Sequence, residues 1–274
     1  MEQVLKYPGS KWNIAGQISG LIPPHHSYVE PFFGSGAVLF NKTPSDIETV
    51  NDIDSNVTNL FKCIQDDSER LARIVMATPY SRSEYDQQFS NMPYADNYQK
   101  AAGFLVKCWQ GHGFRTNGYK VGWKNDVQGR EKMYALWNWY HLPERIVSIA
   151  ERLRKVQIEN RPAAEVIKRF NYLNVFQYWD PPYLLRTRKG KQYRYEMDDA
   201  AHEELLKLAL MSKSKIAISG YESDMYNDYL KDWHKVYFKS CAEHSGSRTE
   251  VVWMNYEWHI QMSFEDFLNE EEIQ

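Results

Sequence analysis

The segment Val29-Glu30-Pro31-Phe32-Phe33-Gly34-Ser35-Gly36-Ala37-Val38-Leu39-Phe40 restricts the fold more than any other part of the chain. A short apolar run ends at an acid, turns through two close glycines and passes into helix-forming residues. Strand, glycine turn and helix make the opening unit of a parallel α/β sheet, with the turn at the carboxyl edge, where glycine lets a ligand approach the backbone. The motif is not a complete G-x-G-x-x-G, and two glycines serve equally well to shape a turn. Some 20 residues later, Val50-Asn51-Asp52-Ile53-Asp54 ends a second strand with acids. An acid there accepts hydrogen bonds from ribose hydroxyls or caps a helix, and either aspartate suits either task. A glycine loop ending in Gly-Lys-Ser/Thr is absent from the sequence, which argues against a triphosphate-cleaving P-loop.

Strand-like runs recur before turn residues: Tyr28 to Val29, Thr49 to Val50, Val175 to Trp179 and Ile216 to Ile218. Helical spacing separates them. Tyr98, Ala101, Ala102, Leu105, Val106 and Trp109 share one face, as do Ile146, Ile149, Ala150 and Leu153, with Pro143 placed in that helix's first turn. Asp198 suits the N-cap of a helix bearing Ala201, Leu205, Leu208 and Ala209. The alternation predicts a mostly parallel α/β sheet. Residues 61–156 break the rhythm, being helical, basic and punctuated by glycine, and are read as an insertion between 1–60 and 157–274.

The 274 residues, 43% hydrophobic and 15% aromatic, suffice for one large domain or a core domain carrying a smaller one, and do not resemble a chain that stays unfolded. No run approaches the roughly 18 apolar residues of a membrane span, and the N-terminus lacks a signal-peptide pattern, so an intracellular (cytoplasmic) protein is expected. Cys63, Cys108 and Cys241 are far apart, supporting neither disulfides nor a zinc ribbon. A formal charge of -3 argues against a nucleic-acid partner until its distribution is considered: the last ten residues hold five acids and no base, leaving +2 for the rest. Residues 107–132 carry six Lys/Arg against Asp126 and Glu131, interleaved with Trp109, Phe114, Tyr119 and Trp123. The run from Arg186 to Tyr195 holds five bases, two tyrosines and no acid. Such patches neutralise phosphates and stack on bases, or are simply solvated surface.

Trp179-Asp180-Pro181-Pro182-Tyr183 follows the strand-like Val175 to Trp179. Prolines offer carbonyl acceptors without competing N–H donors, and the aspartate adds an anionic one. Such acceptors can hold both hydrogens of an amino group while Tyr183 stacks on the ring that bears it. An exocyclic amino nitrogen is a poor nucleophile because its lone pair is delocalised into the ring. Acceptors on its hydrogens favour the pyramidal form and stabilise developing positive charge. A proline-rich loop with no such task is the bland alternative.

In this order, Lys6-Tyr7-Pro8-Gly9-Ser10-Lys11, Val29-Glu30-Pro31-Phe32-Phe33-Gly34-Ser35-Gly36, Val50-Asn51-Asp52-Ile53-Asp54 and Asp180-Pro181-Pro182-Tyr183 resemble the motifs of the Dam-type DNA adenine methyltransferases. Ile216 to Tyr221 resembles the strand after the catalytic loop, and Arg248 to Tyr256 the closing hairpin strand, so the resemblance covers about 4–62 and 156–260. It implies a Rossmann-like, S-adenosylmethionine-dependent methyltransferase sheet with an inserted, mainly helical target-recognition domain at 61–156. Tyr7, Lys11, Glu30, Phe32, Gly34, Gly36, Asp52 and Asp180 match cofactor positions, with Asp54 as the alternative to Asp52 at the ribose. Asp180, Pro181, Pro182 and Tyr183 match the catalytic loop. In the insertion, Arg115 and Asn117 of Gly113-Phe114-Arg115-Thr116-Asn117-Gly118 match a stretch before a DNA-reading hairpin. The following Tyr119 to Lys124 lacks a proline common in relatives, which leaves the recognised site open. Lys6, Lys120, Lys124, Arg186, Arg188 and Lys189 are the other expected DNA contacts.

The implied reaction moves a methyl group from S-adenosylmethionine to the 6-amino group of an extruded adenine, leaving S-adenosylhomocysteine and needing no metal. The implied partners are double-stranded DNA and, for some such enzymes, a cognate restriction endonuclease, with a monomer expected. Methylation at cytosine carbon-5 is disfavoured because no cysteine follows a proline. The alternatives left open are methylation of the cytosine 4-amino group, of RNA, or a non-catalytic DNA-binding relative.

Overall fold

The computed structural model describes residues 1–90, 93–125, 134–188, 190–241 and 247–258. In chain order the elements are α1 (Ala15–Ser19), β1 (Ser27–Glu30), α2 (Ala37–Asn41), β2 (Ile47–Asn51), α3 (Ser55–Ala77), α4 (Arg82–Gln87), α5 (Asn97–Gln110), α6 (Tyr134–Leu153) and β3 (Val156–Glu159). They continue with α7 (Ala163–Arg169), β4 (Val175–Trp179), a 3-10 turn (Leu185–Thr187), α8 (Asp199–Leu210), β5 (Lys215–Gly220), α9 (Asp224–Tyr229), β6 (His234–Cys241) and β7 (Ser247–Met254). Among the described residues seven strands form one sheet, ordered β3-β2-β1-β4-β5-β7-β6. The first five are parallel, and β7 runs antiparallel to both β5 and β6. The expected strands and the closing hairpin strand are therefore present. The C-terminal acidic tail lies outside the described residues.

Period-two alternation sorts the strand side chains onto two apolar layers. Phe176, Tyr178, Ala217, Val252 and Met254 join the larger core, which extends through α3, α5 and α6. Trp179, Ile216, Ile218, Val251 and Trp253 face the other way, against Leu205 and Leu206 of α8 and Tyr226 of α9. Asp198 caps α8 as expected, accepting from the Ala201 N–H at 2.9 Å.

One expectation within residues 61–156 changes. Pro143 sits inside α6 rather than in its first turn. Trp139, Leu142, Ile146, Ile149 and Leu153, at alternating intervals of three and four, are all buried. Their burial carries the helix through the residue whose N–H is missing. α3 runs across 60/61 and departs from helical geometry at Asp67. Residues of α5 and α6 pack with α3 in the same core as the sheet. The buried carboxylate of Glu48 on β2 pairs with Lys42 and with Arg152 of α6, pinning α6 to the sheet.

Candidate active site

β1 and β4 lie side by side at the centre of the sheet. From β1 the chain proceeds to β2 on one side; from β4 it proceeds to β5 on the other. The carboxyl ends part at this switch point, the place where open α/β sheets bind ligands. Glu30 ends β1, Asp180 follows β4, and both line a cleft of about 600 Å³. Tyr7, Lys11, Phe32, Gly34, Asp52, Asp54 and Pro182 also line it. Gly36, expected there, is not among the lining residues. Its φ is +68°, and a Cβ would lie 2.6 Å from the Phe33 ring and 2.7 Å from that of Phe40, so glycine lets the turn pass over two packed rings.

The two aspartates divide their tasks. Asp54 caps α3, its Oδ1 accepting from the backbone and side-chain nitrogens of Asn56 at 3.0 and 2.9 Å. Asp52 instead grips the glycine turn: Oδ2 accepts from the Gly34 N–H at 2.8 Å and Oδ1 from the Asp54 N–H at 2.8 Å. Each Asp52 oxygen keeps a lone pair beside the cleft. Burial pushes this carboxyl up to about 7 against the pull of those N–H groups. Glu30 is similarly pushed up by burial, to about 8, although the Tyr28 hydroxyl donates to it at 2.5 Å.

At the loop after β4, the buried Lys11 ammonium lies 2.8 and 2.9 Å from the two Asp180 oxygens and donates to the Gly9 carbonyl at 2.6 Å. Glu250 of β7 is 3.8 Å away on the same ammonium. Burial disfavours the lysine charge, but Asp180 and then Glu250 outweigh it and raise its pKa. Burial likewise raises Asp180, with Lys11 opposing. Lys11 thus both lines the cleft and holds the aspartate, a pairing across 169 positions of sequence. Pro181 and Tyr183 do not line this cleft. Pro181 is buried, while the half-buried Tyr183 ring lies 4.8 Å from Lys11 Nζ and packs edge-on against Tyr221 at 4.7 Å.

The basic stretches are joined to each other and to the cleft. Thr116 donates its N–H to the Gln192 carbonyl at 2.8 Å, and its hydroxyl accepts from the Arg194 N–H at 2.8 Å. The Asn117 amide donates to the Lys191 carbonyl at 3.0 Å. Tyr193 donates to the Pro8 carbonyl at 3.0 Å, and Tyr193, Tyr195 and Glu196 line the cleft. Tyr193 and Tyr195 were expected only as part of a DNA-facing run, and Glu196, just beyond it, was not singled out. Their outward signal was the alternation of rings and charges in Gln192-Tyr193-Arg194-Tyr195-Glu196, which does not say which side faces in.

The expected DNA contacts are placed unequally. Arg115 and Arg186 are exposed, the former with its guanidinium 5.5 Å from the exposed Tyr119 ring. Lys6 and Lys124 are half-buried, and the half-exposed Lys120 pairs with Asp86 at 2.8 Å. Lys189 lies outside the described residues. Arg188 is a correction: only 5% exposed, it is paired with Glu196 and donates Nε to the Tyr183 carbonyl at 2.7 Å. Its charge is turned inward because Glu196 satisfies it in a buried site, so it is not displayed to a phosphate. Of the four rings in the first basic stretch, Trp109 and Phe114 are core residues, Trp123 is half-buried and Tyr119 alone is exposed.

The sequence similarities match this architecture. A family model for D12 class N6 adenine-specific DNA methyltransferases matches residues 7–252. The chain is 25% identical to a type II methyltransferase, M1.LlaDCHI, of Lactococcus lactis subsp. cremoris, over 92% of this chain and 94% of that protein. It is 24% identical to a DNA adenine methylase of Serratia marcescens, over 84% of this chain and 86% of that protein. The retron Ec67 DNA adenine methylase of Escherichia coli is 24% identical over 92% of this chain and 90% of its own. With its Rossmann-like sheet and the family's motifs at the switch point, the chain belongs to the D12 class N6 adenine-specific DNA methyltransferases.

Proposed function

We propose that the enzyme binds S-adenosylmethionine in the switch-point cleft and methylates the 6-amino group of an adenine flipped out of double-stranded DNA. The observation that carries this reading is the placement of Asp180, which lines the cleft while its carboxylate is fixed by Lys11. The cleft fits the cofactor chemically. Asp52 offers anionic lone pairs for ribose hydroxyls, Phe32 and Ile53 offer apolar surface, and the Asp54 Oδ2 is a buried oxygen with no partner. When bound, S-adenosylmethionine supplies an electrophilic methyl carbon on a sulfonium.

The chain's own residues do the rest. Asp180 accepts a hydrogen of the target amino group, and the Pro181 carbonyl accepts the other. Both stabilise the positive charge that grows on nitrogen as it attacks. Lys11 fixes the carboxylate before the base arrives, so little reorganisation accompanies reaction. The methylated nitrogen then sheds one proton, for which Asp180, lifted above its ordinary range by burial, is a suitable base. Tyr183 stacks on the extruded base, whose release from the duplex costs a few kcal/mol. The stretch 61–156 serves as the recognition segment, and Lys6, Arg115, Asn117, Lys120, Lys124 and Arg186 hold the DNA. The reading includes a monomer acting in the cytoplasm. A restriction endonuclease as companion accords with the type II relatives.

The test is incubation with labelled S-adenosylmethionine and unmethylated bacterial DNA, followed by nucleoside mass spectrometry. N6-methyladenine is expected. Label on the cytosine 4-amino group, or none on any DNA, refutes the reading.

A further inference from the structure

The buried Arg188 answers to the catalytic loop, and through Glu196 to the insertion. One guanidinium serves three acceptors: Nε reaches the Tyr183 carbonyl at 2.7 Å, Nη1 the Gly190 carbonyl at 3.1 Å, and Nη1 with Nη2 the Glu196 carboxylate. The Glu196 Oε1 also accepts from the backbone N–H groups of Gln192 at 2.7 Å and Tyr193 at 3.0 Å. The same segment carries the hydrogen bonds to Thr116, through the Gln192 carbonyl and the Arg194 N–H. A continuous set of bonds therefore runs from the Gly113–Gly118 loop, through residues 192–196 and Arg188, to the tyrosine of the catalytic motif.

We infer that Arg188 and Glu196 form a positioning clamp, with Thr116 as its contact in the insertion, that sets Tyr183 in place when the loop bearing Arg115 engages DNA. The inference rests on the function proposed above and goes beyond it by assigning coupling to Arg188 and Thr116, which do not line the cleft, through Glu196, which does. The physical basis is planarity: a guanidinium presents N–H groups along several fixed directions, so displacement of residues 192–196 moves the Tyr183 carbonyl with it. A lysine ammonium keeps the charge but not the fixed fork.

That difference separates a clamp from a phosphate contact. R188K, R188M and T116V are compared with the wild type on a duplex the wild type methylates, by single-turnover transfer and by DNA affinity across a salt series. Thermal melting confirms that each variant is folded. A clamp predicts that R188K and R188M both slow transfer by at least about tenfold, while the salt slope of DNA affinity stays at the wild-type value. T116V, which keeps the side-chain volume but removes the acceptor for the Arg194 N–H, slows the same step. The double variant R188K/T116V is no slower than R188K alone, because both break one chain of contacts. Wild-type rates in R188K, a salt slope lowered by about one in R188M, or additive losses in the double variant overturn the clamp. If Arg188 variants do not fold, a wild-type rate in T116V overturns it. An inactive wild type refutes the function itself, which is a distinguishable outcome.

Discussion

Asp52 gives the sharpest link between burial and ligand binding. The residue is 7% exposed and burial lifts its carboxyl from an ordinary 3.8 to about 7, although the Gly34 and Asp54 N–H groups favour the anion. If the anion accepts the ribose hydroxyls, cofactor affinity must follow its ionisation. One pH unit below the midpoint about a tenth of the carboxyls are ionised, so Kd should rise roughly tenfold, about 1.4 kcal/mol, and roughly a hundredfold one unit lower. Above about pH 8 it should level off. Asp52→Asn removes the titration. The Asn amide nitrogen cannot accept from either backbone N–H, so one is left unpaired at a cost of about 1–3 kcal/mol. That cost falls on folding; binding at pH 8 should weaken by about ten- to a hundredfold because the ribose hydroxyls lose an anionic acceptor, with a nearly flat pH profile. Calorimetric titration with S-adenosylhomocysteine from pH 5.5 to 8.5 at fixed ionic strength measures both. Subtracting the variant's curve removes the ligand's own ionisations. A flat wild-type profile, or an Asn variant that keeps the wild-type slope, refutes the assignment of Asp52 to the ribose.

Other consequences follow from the same geometry. Asp180→Ala removes the anionic acceptor, and single-turnover transfer should fall by about 10³ or more while S-adenosylhomocysteine still binds; near-normal transfer contradicts the proposed chemistry. Exposed Arg115 should act through charge: Arg115→Ala should weaken DNA binding and lower its salt slope by about one, measured by fluorescence anisotropy across a salt series. Glu30 controls stability in the ligand-free chain. Folded, its carboxyl stays protonated to about 8, whereas in the unfolded chain it ionises near its ordinary 4.5. Unfolding therefore releases a proton between these values, and this contribution to stability is complete below about 4.5 and disappears by about 8. Urea melts at pH 5 and pH 8 should show that loss, on the order of a few kcal/mol, and Glu30→Gln should reduce the difference.

Much of the site was legible because its motifs are local. A strand that ends in Glu30 and turns through Gly34, acids at Asp52 and Asp54, and acceptors in Asp180-Pro181-Pro182 are each ambiguous alone, and their order along the chain, through the family resemblance it carries, gave them their expected uses. The sheet was legible from local pattern, since alternation along β4 and β5 is written into adjacent positions. Charge was less informative. It identified Arg188 as basic but not as buried, because the partner that turns it inward, Glu196, becomes its neighbour only when the loop closes. The Asp52–Asp54 ambiguity had the same source: both end a strand, and which one meets the Gly34 N–H depends on how that turn lies against β2.

What the sequence determined by itself was the parallel sheet and the order of its motifs, since strand periodicity and turn chemistry act over a few residues; the reaction came with the family that the motif order resembles. Tertiary structure alone decided that Lys11 fixes Asp180, that Glu250 shares the ammonium, and that Thr116 touches the loop after Tyr183. It also carried α6 through Pro143 by burying a face that the proline by itself would interrupt. The physical reason is that hydrogen bonds and ion pairs need approach within about 3–4 Å. Only the packed sheet and helices bring positions 11, 116, 180, 196 and 250 to that range.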